Sequence, residues 1–386
     1  MTTLWALGGL VAMLAVVLRA QRLAAFHRLF RWLPTPLWCY GLPMLAVTIG
    51  WLPARHPIYS TLTTTLLPCA LVLLLLDINL PEVARIGWRA LAAMGLGAAS
   101  IVVGAPIIAW LLRAELPAEA WKGVGTLAAT WTGGSMNLLA MRTILGTPES
   151  IFTSLMVVDA VIAYGWMALL VAASSAQAPI DRWLRAPPPN ILLKNREEDL
   201  VGGRAISCTP TTLAACALIA GSLTVVANRL ALMLPTNVLI NTRSGWTVLL
   251  VTTLALIASM APSVRRLGRC ATTLGTPCLL LVLASMGAQA SLAALWSTPQ
   301  WIMLGAGVAV VHGIIMLVGG RLLRLPLGVL ATASQANFGG VVSAPLVGAV
   351  YEERLAPIGL GLAIIGNAVG TYLGLGAASL ARWLMR

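Results

Sequence analysis

The sequence predicts an all-α polytopic membrane protein built from two structural repeats, and three observations carry that prediction. Of its 386 residues 59% are hydrophobic and 10% charged, and the mean hydropathy is +0.89. A soluble domain carries about a quarter charged residues. The apolar residues gather into about twelve runs near the ~17–25 residues that take a helix across a bilayer. Polar features then recur in the same order in the two halves of the chain. The net charge of +13 does not point to nucleic acid, because the Arg residues sit in short loops between the apolar runs. That is the excess expected of cytoplasmic loops.

In the first half the runs lie near 3–18, 35–52, 58–76, 88–112, 122–146 and 150–174. In the second they lie near 209–232, 245–262, 272–293, 299–320, 328–350 and 356–381. No basic residue precedes the first run, and Arg19, Arg22, Arg28 and Arg31 follow it. It reads as a retained helix that starts outside, and not as a cleaved signal. Pro68-Cys69 opens the third run and Pro277-Cys278 the ninth, while glycine pairs break the fifth and the eleventh. Residues 1–176 therefore form the first repeat, with a broken helix over 122–146. Residues 209–386 form the second, broken over 328–350. The segment 177–208, with Pro187-Pro188-Pro189 and the mixed charges from Lys194 to Asp199, reads as an exposed polar linker.

The basic loops fix an orientation. Arg85, Arg89, Arg265, Arg266, Arg269, Arg321, Arg324, Arg382 and Arg386 join the first Arg cluster on the cytoplasmic side. Arg55, Arg113, Lys122, Arg243 and Arg354 face the other side. The N-terminus is then outside and the C-terminus cytoplasmic, which requires an odd number of crossings and makes the repeats inverted. The expectation is eleven or thirteen crossings, with one segment between Ile151 and Pro262 differing from the run count.

The candidate site is the pair of breaks. The first reads Thr132-Gly133-Gly134-Ser135-Met136-Asn137, and the second Ser334-Gln335-Ala336-Asn337-Phe338-Gly339-Gly340. In hydrocarbon a backbone N–H or C=O without an internal partner is tolerated only in a polar cavity or inside protein. Paired glycine breaks in matching places of two halves point to a transporter's binding site. Thr132, Ser135, Asn137, Ser334, Gln335 and Asn337 supply donors and acceptors around them. The plain alternative is that the glycines only permit close helix packing.

The following run carries Asp159-Ala160-Val161-Ile162-Ala163-Tyr164 in the first half and Asn367-Ala368-Val369-Gly370-Thr371-Tyr372 in the second. Among twelve acidic residues Asp159 alone lies well inside an apolar run; Asp77 ends one and the others fall in loops. A carboxylate at mid-bilayer costs about 2.5–3.5 kcal/mol on insertion scales. Asp159 is therefore the expected carrier of a coupling H+ or Na+, with Asn367 its neutral counterpart; the alternative is a protonated Asp hydrogen-bonded across helices. His312, Tyr164 and Tyr372 are accessory positions that packing and ordinary hydrogen bonding also explain. Asp77-Ile78-Asn79 reads as interfacial, with Arg85 as a partner. Six Cys without a C-x-x-C pair, and His27, His56 and His312 far apart, give weak grounds for a disulfide or a metal site.

With these motifs the chain resembles the YjcL-like family of bacterial and plant membrane proteins, catalogued as a domain of unknown function, over nearly its whole length. That family is distantly similar to the cation:proton antiporter and bile-acid:sodium symporter superfamily. The resemblance implies inverted repeats, a panel domain, and a core domain in which two broken helices cross. It also implies an ion-binding carboxylate on the helix after the first broken one, the place of Asp159. Val158-Asp159 stands where antiporters show an Asn-Asp or Asp-Asp pair, which leaves organic-solute transport open.

The expectation is an ion-coupled secondary transporter of a small solute in a bacterial inner (plasma) membrane, with no enzymatic activity and no resident cofactor or metal. Its partners would be a small-molecule or ion substrate, the lipid bilayer and, as an option, a second copy of the chain. A channel or lipid-handling protein shares the same signals. An intramembrane serine hydrolase would need Ser135 and His312 within hydrogen-bond reach.

Overall fold

The computed structural model describes residues 3–26, 29–30, 35–54, 56–78, 87–187, 208–240, 242–290 and 298–386. Every regular element among them is helical. The first half holds α1 (Thr3–Gln21), α2 (Thr35–Thr48), α3 (Pro57–Leu75), α4 (Trp88–Leu111), α5 (Ala120–Gly133), α6 (Ser135–Leu145) and α7 (Glu149–Ala173). After α8 (Gln177–Leu184) come α9 (Pro210–Ala231), α10 (Arg243–Ser259), α11 (Pro262–Arg265) and α12 (Gly268–Gly287). The chain ends with α13 (Thr298–Leu323), α14 (Leu327–Phe338), α15 (Gly340–Tyr351) and α16 (Leu355–Leu384).

Eight helical segments among the described residues are long and apolar enough to cross a membrane. The run over 35–52 is shorter than the sequence suggested. It forms the 14-residue α2, because Gly50 at φ 77° closes the helix. Trp51 N–H donates to Ala46 carbonyl at 2.8 Å and Gly50 N–H to Val47 carbonyl at 3.1 Å, the pattern of a glycine C-cap. Pro68 and Pro277, expected to open runs, lie inside α3 and α12. The expected linker begins as helix α8; its residues 188–207, with Asn79, Arg85 and His27, lie outside the described residues.

The chain forms two compact units, and each draws on both halves of the sequence. The first comprises 1–77, 142–160 and 206–299. Within it α3 and α12 pack antiparallel. A Cβ on Gly268 would lie 2.5 Å from Asp77 Cα, and one on Gly275 2.9 Å from Leu73 Cβ. At the other end Thr63 and Ser285 hydroxyls meet at 3.2 Å. Ala6, Leu10, Ala46, Leu52, Tyr59, Ala284 and Ala288 form an apolar core there.

Two sequence expectations fail in this unit. Cys208 and Cys270 form a disulfide, 62 residues apart in sequence, where the spacing had given little reason for one. Cysteine pairing is a tertiary property that spacing alone does not determine. Glu149, read as a loop acid, lies in the first turn of α7 and pairs with Arg142 of α6. Tyr40 donates to the other Glu149 oxygen at 2.9 Å, and the Arg142 guanidinium lies 4.7 Å above the Phe152 ring. The pair is half-buried, with 15% and 26% of the two side chains exposed.

The second unit comprises 78–141, 161–205 and 300–386. Its core joins Ala93 and Met94 of α4 to Leu330, Ala333 and Ala336 of α14 and to Leu362 and Ala363 of α16. Here α4 and α13 run antiparallel. A Cβ on Gly307 would meet Ile108 at 2.9 Å, one on Gly104 would meet Val311 at 3.2 Å, and one on Gly319 would meet Leu96 at 2.2 Å.

Candidate functional site

Between α5 and α6 the chain passes through Gly134 at φ 75°, ψ 176°. Residues other than glycine enter that region at a cost of about 1–3 kcal/mol. Between α14 and α15 it turns at Gly339, and Gly340 has φ 72°. The nearest atom to a Cβ placed on Gly340 is Gly134 Cα, 3.9 Å away. The two glycine sequences are therefore neighbours in the second unit.

At the first of them Asn137 is the hub. Its Nδ2 donates to Gly133 carbonyl at 2.5 Å and to Asn367 carbonyl at 3.2 Å. Its Oδ1 accepts from Thr371 Oγ1 at 2.5 Å. A side chain at Gly133 has no room, since its Cβ would lie 2.5 Å from Gly366 carbonyl and 2.8 Å from Gly370 Cα. Small residues thus let α5 and α16 touch at the backbone. The Thr132 hydroxyl returns to Ala128 carbonyl at 2.7 Å, so it completes its own helix. Ser135 and Asn367 are half-buried beside this joint, and Asn367 Oδ1 lies 3.2 Å from where a Gly134 Cβ would stand.

The second glycine sequence is bonded differently. Gln335 Nε2 donates to Ser343 Oγ at 2.9 Å. Asn337 Nδ2 donates to Ala333 carbonyl at 3.2 Å and to Met94 carbonyl at 3.4 Å. Their carbonyl oxygens, Gln335 Oε1 and Asn337 Oδ1, have no hydrogen-bond partner among the described residues, and neither has Trp131 Nε1. All three side chains are at most 1% exposed. Each such group costs about 1–3 kcal/mol unless something satisfies it, and buried polar groups are rarely left so. Two acceptors and one donor of the same unit are thus buried without a partner among the described residues. The Trp131 and Phe338 rings lie 5.3 Å apart.

His312 is fully buried in a chain of hydrogen bonds. Ser100 Oγ lies 2.6 Å from Gly97 carbonyl and 2.7 Å from His312 Nδ1; His312 Nε2 lies 2.8 Å from Ser334 Oγ. Trp166 Nε1 donates to the same Ser334 oxygen at 2.8 Å. The Ser100 proton must go to the carbonyl, so Nδ1 carries a hydrogen and donates to Ser100. Nε2 of the neutral ring then accepts from Ser334. Both ring nitrogens are engaged, and neither by Ser135.

Asp159 lies within α7, half-buried and grouped with the first unit. The same helix after Val161 supplies Trp166 to the second. Tyr164 is half-buried and Tyr372 is 38% exposed, whereas its neighbour Thr371 turns inward to Asn137. The sequence reading missed Ser100, Trp131, Trp166 and Thr371. Thr371 was accessible, because Asn367 and Thr371 are four apart and share a helix face. Ser100 and the two Trp residues carry no local signal.

Helices of this length and apolarity define an integral multi-pass membrane protein. Over residues 8–384 the chain matches, and belongs to, the family described as Protein of unknown function (DUF819). It is 25% identical over 350 residues to the Uncharacterized membrane protein YjcL of Bacillus subtilis (strain 168), covering 86% of each chain.

Proposed function

We propose that this protein is an ion-coupled secondary transporter that carries a small solute across a bacterial inner (plasma) membrane by alternating access. The observation that carries this reading is the meeting of Gly134 with Gly340 in the unit that also holds the buried, unpaired Gln335 and Asn337 oxygens. Interrupted helices with polar groups at the joint are the usual substrate and ion sites of such proteins. Helix ends there present carbonyls to a cation and N–H groups to an anion. Asp159 binds the coupling H+ or Na+, and the residues of the two breaks bind the cargo.

Inversion of the repeats is supported by direction. The helices of the third and ninth apolar runs, α3 and α12, are antiparallel. So are those of the fourth and tenth runs, α4 and α13. An inverted pair agrees with an odd number of crossings, an outside N-terminus and a cytoplasmic C-terminus.

The test is a pH-jump and sodium-gradient flux assay in proteoliposomes, comparing wild type with Asp159→Asn. Flux above that of empty liposomes, abolished by Asp159→Asn in folded protein, is the expected result. Equal flux in both proteins removes the coupling role of Asp159.

A further inference from the structure

The first unit has a cleft of its own, on different residues from the glycine joints. A cleft of about 310 Å3 opens among α3, α9, α10 and Thr143 of α6, within the size range of small-ligand pockets. Arg229, in the last turn of α9, and Arg243, at the start of α10, both line it. Neither arginine has an ion-pair partner among the described residues, and no Asp or Glu lines the cleft. Thr247 Oγ1 lies 2.9 Å from Asn228 Oδ1 and 3.1 Å from Arg243 carbonyl, and its one proton serves these two acceptors. The Thr242 hydroxyl caps α10 through Gly245 N–H at 3.0 Å and fixes the Arg243 backbone. The cleft is thus a fixed frame with two positive forks and neutral polar groups.

Its other wall is apolar. Leu232 and Val248 line it, and Leu232 and the adjacent Met233 are 54% and 80% exposed. Two arginines at helix ends beside exposed aliphatic side chains fit an amphiphile, with a charged oxyanion for the forks and a hydrocarbon for the wall. Arginine suits phosphate because its parallel N–H groups bind two oxygens at once. We propose that this cleft binds the phosphate of an anionic phospholipid, held by Arg229 and Arg243, with the acyl chains lying along Leu232 and Met233.

The test uses the full chain in detergent, melted with added phosphatidylglycerol, phosphatidylcholine or inorganic phosphate, and native mass spectrometry to count retained lipid. Wild type is expected to gain Tm with phosphatidylglycerol and not with phosphatidylcholine. The double variant Arg229→Gln/Arg243→Gln loses that gain and binds the lipid about tenfold or more weakly. Arg243→Lys keeps the charge, loses the fork and falls between. Arg266→Gln/Arg386→Gln, with the same charge loss elsewhere, keeps the wild-type response. An equal gain with phosphatidylcholine, or an unchanged response in the cleft double variant, overturns the proposal. A gain given in full by inorganic phosphate keeps the phosphate site and overturns the lipid as its source.

Discussion

Beside Gly134 the side-chain amide of Asn137 is matched at both ends, whereas the two amides before Gly339 and Gly340 are matched at one end only. Asn137 uses both ends of its amide, on Gly133, Asn367 and Thr371. Gln335 and Asn337 use only their nitrogen ends and leave a buried carbonyl oxygen each. The backbone differs in the same sense. Gly133 is pinned against Gly366 and Gly370, while the nearest atom to a Cβ on Gly340 is 3.9 Å away. The first glycine sequence is a closed joint that holds α5 on α16, and the second keeps two buried carbonyl oxygens without a partner among the described residues.

That difference can be broken most forcefully at Gly133. Gly133→Val places side-chain atoms into the backbone of α16, and overpacking of this kind costs at least about 1–3 kcal/mol. Little folded protein is expected by size-exclusion chromatography. Gly340→Ala meets only an ordinary contact with Gly134 Cα and backbone strain of about 1–2 kcal/mol, so it should yield folded protein. Equal yields would show that the first joint is not the tighter one.

Asn137→Ala comes next. It leaves the Thr371 hydroxyl without its acceptor and exposes a void, for an expected loss of about 2–4 kcal/mol in unfolding free energy. Ser334→Ala takes away partners of His312 Nε2 and Trp166 Nε1, and should cost about 1–3 kcal/mol with a change in Trp fluorescence. A silent Ser334→Ala would mean that the His312 chain is not held as the distances indicate. The smallest effect on stability is expected for Gln335→Met. It removes an unpaired oxygen and the hydrogen bond to Ser343 together, at similar volume, so the unfolding free energy should change by about 1 kcal/mol or less, in either direction, while transport falls.

The parts of this molecule legible in the sequence are those where one residue type dictates local geometry. Gly134 and Gly340 could be found because positive φ selects glycine, and membrane spans because length and apolarity define them. The end of α2 at Gly50 was also written locally, as a glycine C-cap, but an apolar run count overlooks it. What could not be read was chosen by tertiary packing. Ser100 and Ser334 become partners of one histidine only when α4, α13 and α14 meet. Glu149 looked like a loop acid until α6 and α7 brought it to Arg142 beside Tyr40. Cys208 and Cys270 had no spacing that singled them out among six cysteines.

The most direct measurement is flux through Asn337→Leu in proteoliposomes under imposed pH and sodium gradients, with the melting midpoint recorded for the same preparation. Asn337 donates only to two carbonyls at 3.2 and 3.4 Å, so its loss should move the midpoint little. Wild-type flux above empty liposomes, lost in Asn337→Leu at an unchanged midpoint, is the predicted result. Undiminished flux in that variant would contradict a binding role for the second break.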